Sequence, residues 1–110
     1  MTAVRRAAAY PIEPGRVALS RAGHDAGGYF VVMDVLPDGY ALLADGRARG
    51  IAAPKKKKFR HMRPQPDRFD DLVEMARSGT LLDAHVRSRL ARAGYAAGKE
   101  EETLGQERQY

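Results

Sequence analysis

Residues 15 to 32 read GRVALSRAGHDAGGYFVV and contain the strongest strand and turn signals of the chain. Val17 and Leu19 lie two residues apart, which is the period of a β-strand with one buried face. Three glycines then follow before Tyr29, as is typical of a loop in which the chain reverses direction. The apolar run from Tyr29 to Val35 is almost continuous. We therefore predict a β-hairpin whose second strand is central in the sheet and buried on both faces.

The sequence after Val35 continues as short strands separated by turns. Leu36-Pro-Asp-Gly-Tyr40 has the residues of a hairpin turn, because proline fixes φ and glycine accepts a left-handed conformation. The predicted strands that follow are Tyr40 to Ala44, then, after an Asp45-Gly46 turn, Ile51 to Ala53 ended by Pro54, and finally Phe59 to Met62. The fold class predicted for residues 15–63 is a small, mainly β barrel of about five strands.

Helical patterning replaces the strand pattern after Pro64-Gln65-Pro66. Asp67 and Thr80 are candidate N-caps of two short helices, and Gly79 and Gly94 are candidate stops. We assign residues 64–95 to a helical C-terminal extension. Residues 1–14 are predicted to be a flexible lead-in, and residues 96–110, with three consecutive glutamates, a polar tail.

The glycine-containing hairpin resembles the KOW motif of ribosomal and transcription-elongation proteins. In that family, a strand beginning Gly-x-Val leads into a loop with two glycines and then into a hydrophobic strand. Residues 35–46, followed by lysines 55–58 before Arg60 and His61, are similar to bacterial KOW-domain proteins akin to the fourteen-e family of large-subunit ribosomal proteins. The similarity covers about residues 15–62. It implies an SH3-like barrel that binds RNA in translation. Gly23 and Gly27 either allow the backbone to approach RNA closely or serve the turn geometry alone. His24 is either an RNA contact, by stacking or hydrogen bonding, or an exposed loop residue.

Positive charge is concentrated in one segment, residues 46–66, which we call the basic strip. The net charge of the chain is +5, but the basic strip contains eight basic residues and no acid, so it carries +8 and the remainder −3. Such a strip favours an anionic partner, and lysine and arginine contact RNA phosphates without reading sequence. Together with Arg21 from the neighbouring strand, the candidate RNA-binding cations are Arg47, Arg49, Lys55, Lys56, Lys57, Lys58, Arg60 and Arg63.

Several function classes have no support in the sequence. A chain of 110 residues is one small domain, and its lack of cysteine excludes disulfides and thiolate metal sites. No apolar run approaches the ~20 residues of a membrane span, and no secretory segment is evident. His24, His61 and His85 lack metal-ligand spacing, and no nucleophile or phosphate-loop motif is present. We therefore expect a cytoplasmic protein that is not an enzyme and has no cofactor, metal or small-molecule substrate.

The sequence leaves three classes of partner open. The first is RNA, in the form of ribosomal RNA or the ribosome. The second is a ribosomal protein or a transcription or translation factor, bound by a protein-interaction module whose lysines add only nonspecific affinity. An exposed apolar patch around Tyr40, Phe59 or Phe69 would favour this second reading. The third and weakest is an anionic membrane surface, although the basic strip lacks the apolar face of such adaptors. The basic side chains of the second helix, among them Arg87 and Arg89, are either solvated or an extension of the strip.

Overall fold

A computed structural model describes residues 10–95 and has five β-strands followed by two α-helices. The strands are β1 (Arg16–Ser20), β2 (Tyr29–Val35), β3 (Tyr40–Ala44), β4 (Lys55–Lys58) and β5 (Met62–Arg68). A 3-10 helix, Phe59–His61, joins β4 to β5, and the α-helices are α1 (Asp70–Ser78) and α2 (Asp83–Arg92). The mainly β fold with two C-terminal helices is therefore confirmed.

The strands form one antiparallel sheet in the order β4-β3-β2-β1-β5. In the hairpin of β1 and β2, Val17 lies opposite Val31 and Leu19 opposite Tyr29. Irregular register between Arg16 and Ala18 and between Val32 and Asp34 marks bulges, which bend a strand and increase its twist. The bent sheet brings β4 from one edge close to the loop that follows β1, as the contacts of Lys57 show.

Both faces of the sheet are covered, which explains the continuous apolar run of β2. Successive residues of a strand point to opposite faces, and Phe30 and Val32 lie in a cluster inside the barrel while Val31 lies in a cluster beneath the helices. The inner cluster consists of Ala18, Phe30, Val32, Ala41, Leu43 and Met62. The outer cluster consists of Val17, Val31, Phe69, Leu72, Leu81, Val86 and Leu90.

The predicted strand Ile51 to Ala53 is wrong, because these residues form a turn and the strand is Lys55–Lys58. Ile51 packs against the outer cluster from this turn, and its N–H donates to Asp83 Oδ1 at 2.8 Å instead of to a neighbouring strand. Ile51 is therefore apolar because it packs against the helices, and not because it belongs to a strand. The four lysines suit an edge strand, where charge opposes pairing with another chain.

The predicted last strand, Phe59 to Met62, is also misplaced. Phe59–His61 is a 3-10 helix, and β5 continues through Pro64 and Pro66 to Arg68. The prediction that a helix begins directly after this proline segment is therefore wrong by a few residues. Both prolines are tolerated because β5 is an edge strand paired with β1 alone. The barrel therefore extends to Arg68, beyond the predicted boundary at residue 63.

The helix boundaries differ by a few residues from those predicted. Phe69, not Asp67, occupies the N-cap of α1, and Leu82, not Thr80, that of α2. Gly79 ends α1 as predicted, and Leu72, Val86 and Leu90 are buried as the helical spacing required.

The two terminal assignments fall mostly outside the described residues. Residues 1–9 of the predicted lead-in and residues 96–110 of the predicted tail lie there. Within the described part of the lead-in, Ile12 packs on the inner cluster, and Arg16 Nε donates to the carbonyl of Pro11 at 3.0 Å. The segment directly before β1 is therefore part of the folded domain.

Candidate nucleic-acid interface

The loop between β1 and β2, residues 21–28, is a tight reversal that requires its glycines. Gly23 and Gly27 have φ of +85° and +92°, a region that side-chain-bearing residues avoid. The Gly27 N–H donates to the carbonyl of Ser20 at 2.8 Å, and the Ser20 N–H donates to that of Gly28 at 2.9 Å. Gly23, His24 and Gly27 are exposed. The backbone of the two glycines and the imidazole of His24, which the sequence made candidates for RNA contact, are therefore at the surface.

Lys57 does not present its charge at the surface, contrary to the expectation for the lysine run. Its side chain is 6% exposed, and Nζ donates to Asp25 Oδ1 at 3.0 Å and to the carbonyl of Ala22 at 2.8 Å. Adjacent lysines on a strand face opposite sides, and Lys57 faces the same side as its buried neighbours in β3. Lys57 lies opposite Ala41, a residue of the inner cluster, so its side chain is on the inner face of the sheet.

Asp25 anchors the glycine loop to β4. Its Oδ1 accepts hydrogen bonds from Lys57 and from Ser20 Oγ, both at 3.0 Å. Its Oδ2 is buried and has no hydrogen-bond partner among residues 10–95. Burial raises the pKa of Asp25, but the hydrogen bonds from Lys57 and Ser20 and the charge of Lys57 outweigh it, so the pKa lies below its usual value. The loop is therefore held by an ionic pair beneath it.

Lys56 is exposed but partly compensated. Its Nζ lies 3.5 Å from Asp38 Oδ2 and 4.7 Å from the centre of the Tyr40 ring. Such a solvated pair contributes little to stability and is weakened by salt. Lys56 can exchange Asp38 for another anion, but its charge is paired in this structure.

Three arginines meet at the corner where β1 ends and β5 begins, and we call them the corner arginines: Arg21, Arg60 and Arg63. The Arg21 N–H donates to the carbonyl of His61 at 2.9 Å, which places Arg21 beside the 3-10 helix that contains Arg60. Arg63 lies opposite Leu19 of β1. All three are exposed, and their side chains pair with no acid within the described part of the chain. The sequence prediction that Arg21 joins the basic strip from a neighbouring strand agrees with this backbone arrangement.

The loop between β3 and β4 carries Arg47 and Arg49 and is built around a buried carboxylate. Asp45 Oδ1 accepts hydrogen bonds from the backbone N–H groups of Arg47 and Arg49, each at 2.9 Å. Arg47 is exposed, Arg49 is half-buried, and neither guanidinium has an acidic partner among residues 10–95. The Asp45-Gly46 turn expected from the sequence is thus also what fixes the two arginines.

Helix α2 supports this loop, and two of its cations, Arg87 and Arg89, contact the domain instead of extending the basic strip. Arg87 Nη1 donates to the carbonyl of Gly46 at 2.6 Å. Asp83 Oδ1 accepts a hydrogen bond from the Ile51 N–H further along the loop. Arg89 pairs with Asp71 at 2.9 Å and lies over the Phe69 ring. Arg87 and Arg89 are therefore held within the domain.

Sequence reasoning identified Asp45 only as a turn residue and missed the structural roles of Asp25 and Asp83. The lysine run gave one signal, because a strand of four lysines must turn alternate side chains inward and an inward lysine needs an acid. Nothing along the chain showed which acid that was. The remaining predicted cations, Lys55 and Lys58, are half-buried and have no acidic partner in the part of the chain that the structure describes.

Metal-ligand clusters and membrane-spanning helices are absent from residues 10–95. No group of three or more His, Cys, Asp or Glu side chains there could hold a metal ion. None of the helices in this range is long and apolar enough to cross a membrane. No known protein-family model matches the sequence.

Proposed function

We propose that this protein binds RNA of the translation apparatus, contacting ribosomal RNA or the ribosome in the cytoplasm. The observation that carries the proposal is that most of the predicted RNA-binding cations lack an acidic partner within residues 10–95. They are Arg21, Arg47, Arg49, Lys55, Lys58, Arg60 and Arg63. Elsewhere in the domain, cations such as Arg16, Arg68, Arg77 and Arg89 have acidic partners. All of the unpaired RNA-binding candidates except Arg21 lie in the basic strip, whereas Arg92, which also has no acidic partner among residues 10–95, lies at the end of α2.

Unpaired cations of one sign repel one another unless an anion lies among them, and an RNA backbone supplies anions at regular intervals. The corner arginines offer planar donor groups that match phosphate oxygens. Both loops that border the interface are held by buried carboxylates, Asp25 and Asp45, so their geometry exists before RNA arrives. A preformed site loses less conformational entropy on binding.

The likeness of residues 15–62 to KOW domains supports the choice of RNA in translation over another polyanion. The features that carry it are the Gly-x-Val strand start, the exposed loop glycines and the lysines that follow β3. In this proposal, the protein acts as a clamp: phosphate contacts fix its position on structured RNA without reading base sequence.

The apolar patch that would favour a protein-interaction module has little support. Phe69 is 4% exposed and belongs to the outer cluster, and Tyr40 and Phe59 are half-buried. Leu82, at 59% exposure, is an isolated apolar side chain at the start of α2. Single exposed apolar residues are ordinary on protein surfaces.

Sedimentation of tagged protein with ribosomes from lysate, at low and at high salt, tests this proposal. We expect co-sedimentation at low salt and release at high salt, because the contacts are ionic. Crosslinks from the corner arginines and the glycine loop should map to ribosomal RNA. Absence of the protein from every ribosomal fraction, together with no binding to purified ribosomal RNA, contradicts the proposal.

A further inference from the structure

A cleft of about 260 Å³ opens between the two loops that border the interface. One wall comes from the β1–β2 loop and the start of β2, with His24, Gly28 and Phe30, and the other from the β3–β4 loop, with Ala48 and Arg49. We propose that this cleft accepts a single unpaired nucleobase of the bound RNA. The inference rests on the proposed RNA-binding function and adds to it a subsite for one kind of nucleotide.

Two small residues, Gly28 and Ala48, line the cleft. Gly28 has no side chain, and a Cβ there would lie 3.2 Å from Phe30 Cε1, so a larger residue would crowd the ring from the cleft side. Ala48, on the opposite wall, is exposed and ends at its Cβ. The volume is below the roughly 300–1,000 Å³ of pockets for drug-sized ligands, and it suits one planar ring system.

The charges around the cleft favour a nucleotide over an apolar side chain of a protein. Arg49 lines the cleft, and Arg47 lies two residues before it. Each acid of the walls has one engaged oxygen, since Asp25 Oδ1 is bound by Lys57 and Asp45 Oδ1 by two backbone N–H groups. Asp25 Oδ2, which has no hydrogen-bond partner among the described residues, is buried. An apolar slot with cations at its rim provides what a base and its phosphate require, a surface for the ring and a counter-charge for the backbone.

Two RNA probes separate the cleft from the general ionic interface. One is a hairpin RNA with a single bulged adenosine, and the other is the same hairpin without the bulge. We expect the bulged hairpin to bind roughly fivefold to a hundredfold more tightly, the range that loss of one stacked base produces. In Ala48→Leu, which fills the cleft from its exposed rim, this preference should fall to about one while affinity for the paired hairpin persists.

The matched control is Ala52→Leu, an exposed alanine in the same loop that does not line the cleft. It should keep both the affinity and the preference. In NMR titrations, adenosine monophosphate should shift the amides of Gly28, Phe30 and Ala48 in the wild type but not in Ala48→Leu, and ribose 5-phosphate should not shift them. Amide spectra of the free variants confirm that each is folded.

The outcomes distinguish the cleft from the interface. Equal affinity for the two hairpins, or a preference that survives in Ala48→Leu, overturns the cleft proposal and leaves RNA binding in place. If neither hairpin binds, the proposed function fails as well. If adenosine monophosphate leaves the cleft amides unchanged while a short apolar peptide shifts them, the cleft is a protein-docking site and the nucleobase assignment is wrong.

Discussion

Replacement of Lys57 by methionine tests whether the lysine run is a uniform ionic surface or contains a structural member. Methionine keeps the length of the apolar stem but removes the ammonium group that binds Asp25 and the carbonyl of Ala22. The side chains of Lys57 and Asp25 are only 6% and 14% exposed, so the variant leaves a nearly buried carboxylate with Ser20 as its remaining side-chain donor. Breaking a buried pair by removing one partner costs roughly 3–5 kcal/mol.

We take the lower end, about 3 kcal/mol, because Asp25 keeps its Ser20 hydrogen bond and some contact with water. In a domain of this size, that loss lowers the melting temperature by roughly 10–25 °C. Urea unfolding followed by circular dichroism measures the free energy of unfolding. The control is Lys58→Met on the same strand, whose lysine has no acidic partner among residues 10–95 and should change the free energy by no more than about 0.5 kcal/mol.

The double variant Lys57→Met/Asp25→Asn should recover part of the loss, since removing both charges leaves no unpaired ion. The pKa of Asp25 is lowered in the folded state, so the pair stabilises the fold above the unfolded pKa of about 3.9 and this contribution is lost as pH falls through the folded pKa. The difference between wild type and Lys57→Met should therefore shrink below about pH 4. Equal unfolding midpoints for Lys57→Met and Lys58→Met at neutral pH would refute the structural role of Lys57.

Three further predictions concern the ionic interface and its supporting loop. The logarithm of RNA affinity should fall with the logarithm of salt concentration with a slope of roughly −4 to −6, for about five to seven neutralised phosphates, and filter binding that shows a slope near zero would contradict phosphate contact. Arg60→Ala should weaken binding to many RNAs alike and reduce this slope by about one, whereas Arg77→Ala, whose arginine pairs with Glu74 on α1, should leave it unchanged. Gly46→Ala should destabilise the fold more than Gly39→Ala in urea unfolding. Both glycines have positive φ, but a Cβ at Gly46 would lie 2.5 Å from the carbonyl oxygen of Asp83 and one at Gly39 would meet nothing within 4 Å, so equal losses would refute the role of α2 as a brace.

Most of the fold could be predicted because its signals are local. The glycine loop, the apolar run of β2 and the Pro-Asp-Gly turn place the first three strands within a few residues of where they lie. Prediction failed at β4 and β5, where the local signal favoured Ile51 as a strand residue and Pro64 as the end of the sheet. Edge strands tolerate lysine and proline, and whether a strand lies at an edge depends on the order of the whole sheet.

The candidate site divides in the same way. The order of charges along the chain located the excess positive charge in residues 46–66, because a sum over a segment depends on the sequence alone. It could not tell Lys57 from Lys58, although one is buried against Asp25 and the other lacks an acidic partner among the described residues. Alternation along the strand predicts two faces but not which face turns inward.

The sequence by itself therefore determined a small β domain with two helices and one basic segment, since turn chemistry, periodicity and charge are properties of neighbouring residues. Tertiary packing was needed to show which cations remain at the surface and that a cleft separates the two loops. These features depend on residues far apart in the chain, such as Asp25 with Lys57 and Asp83 with Ile51. Packing of the bent sheet brings such residues together, and burial then decides whether a charge is a structural partner or a free surface group.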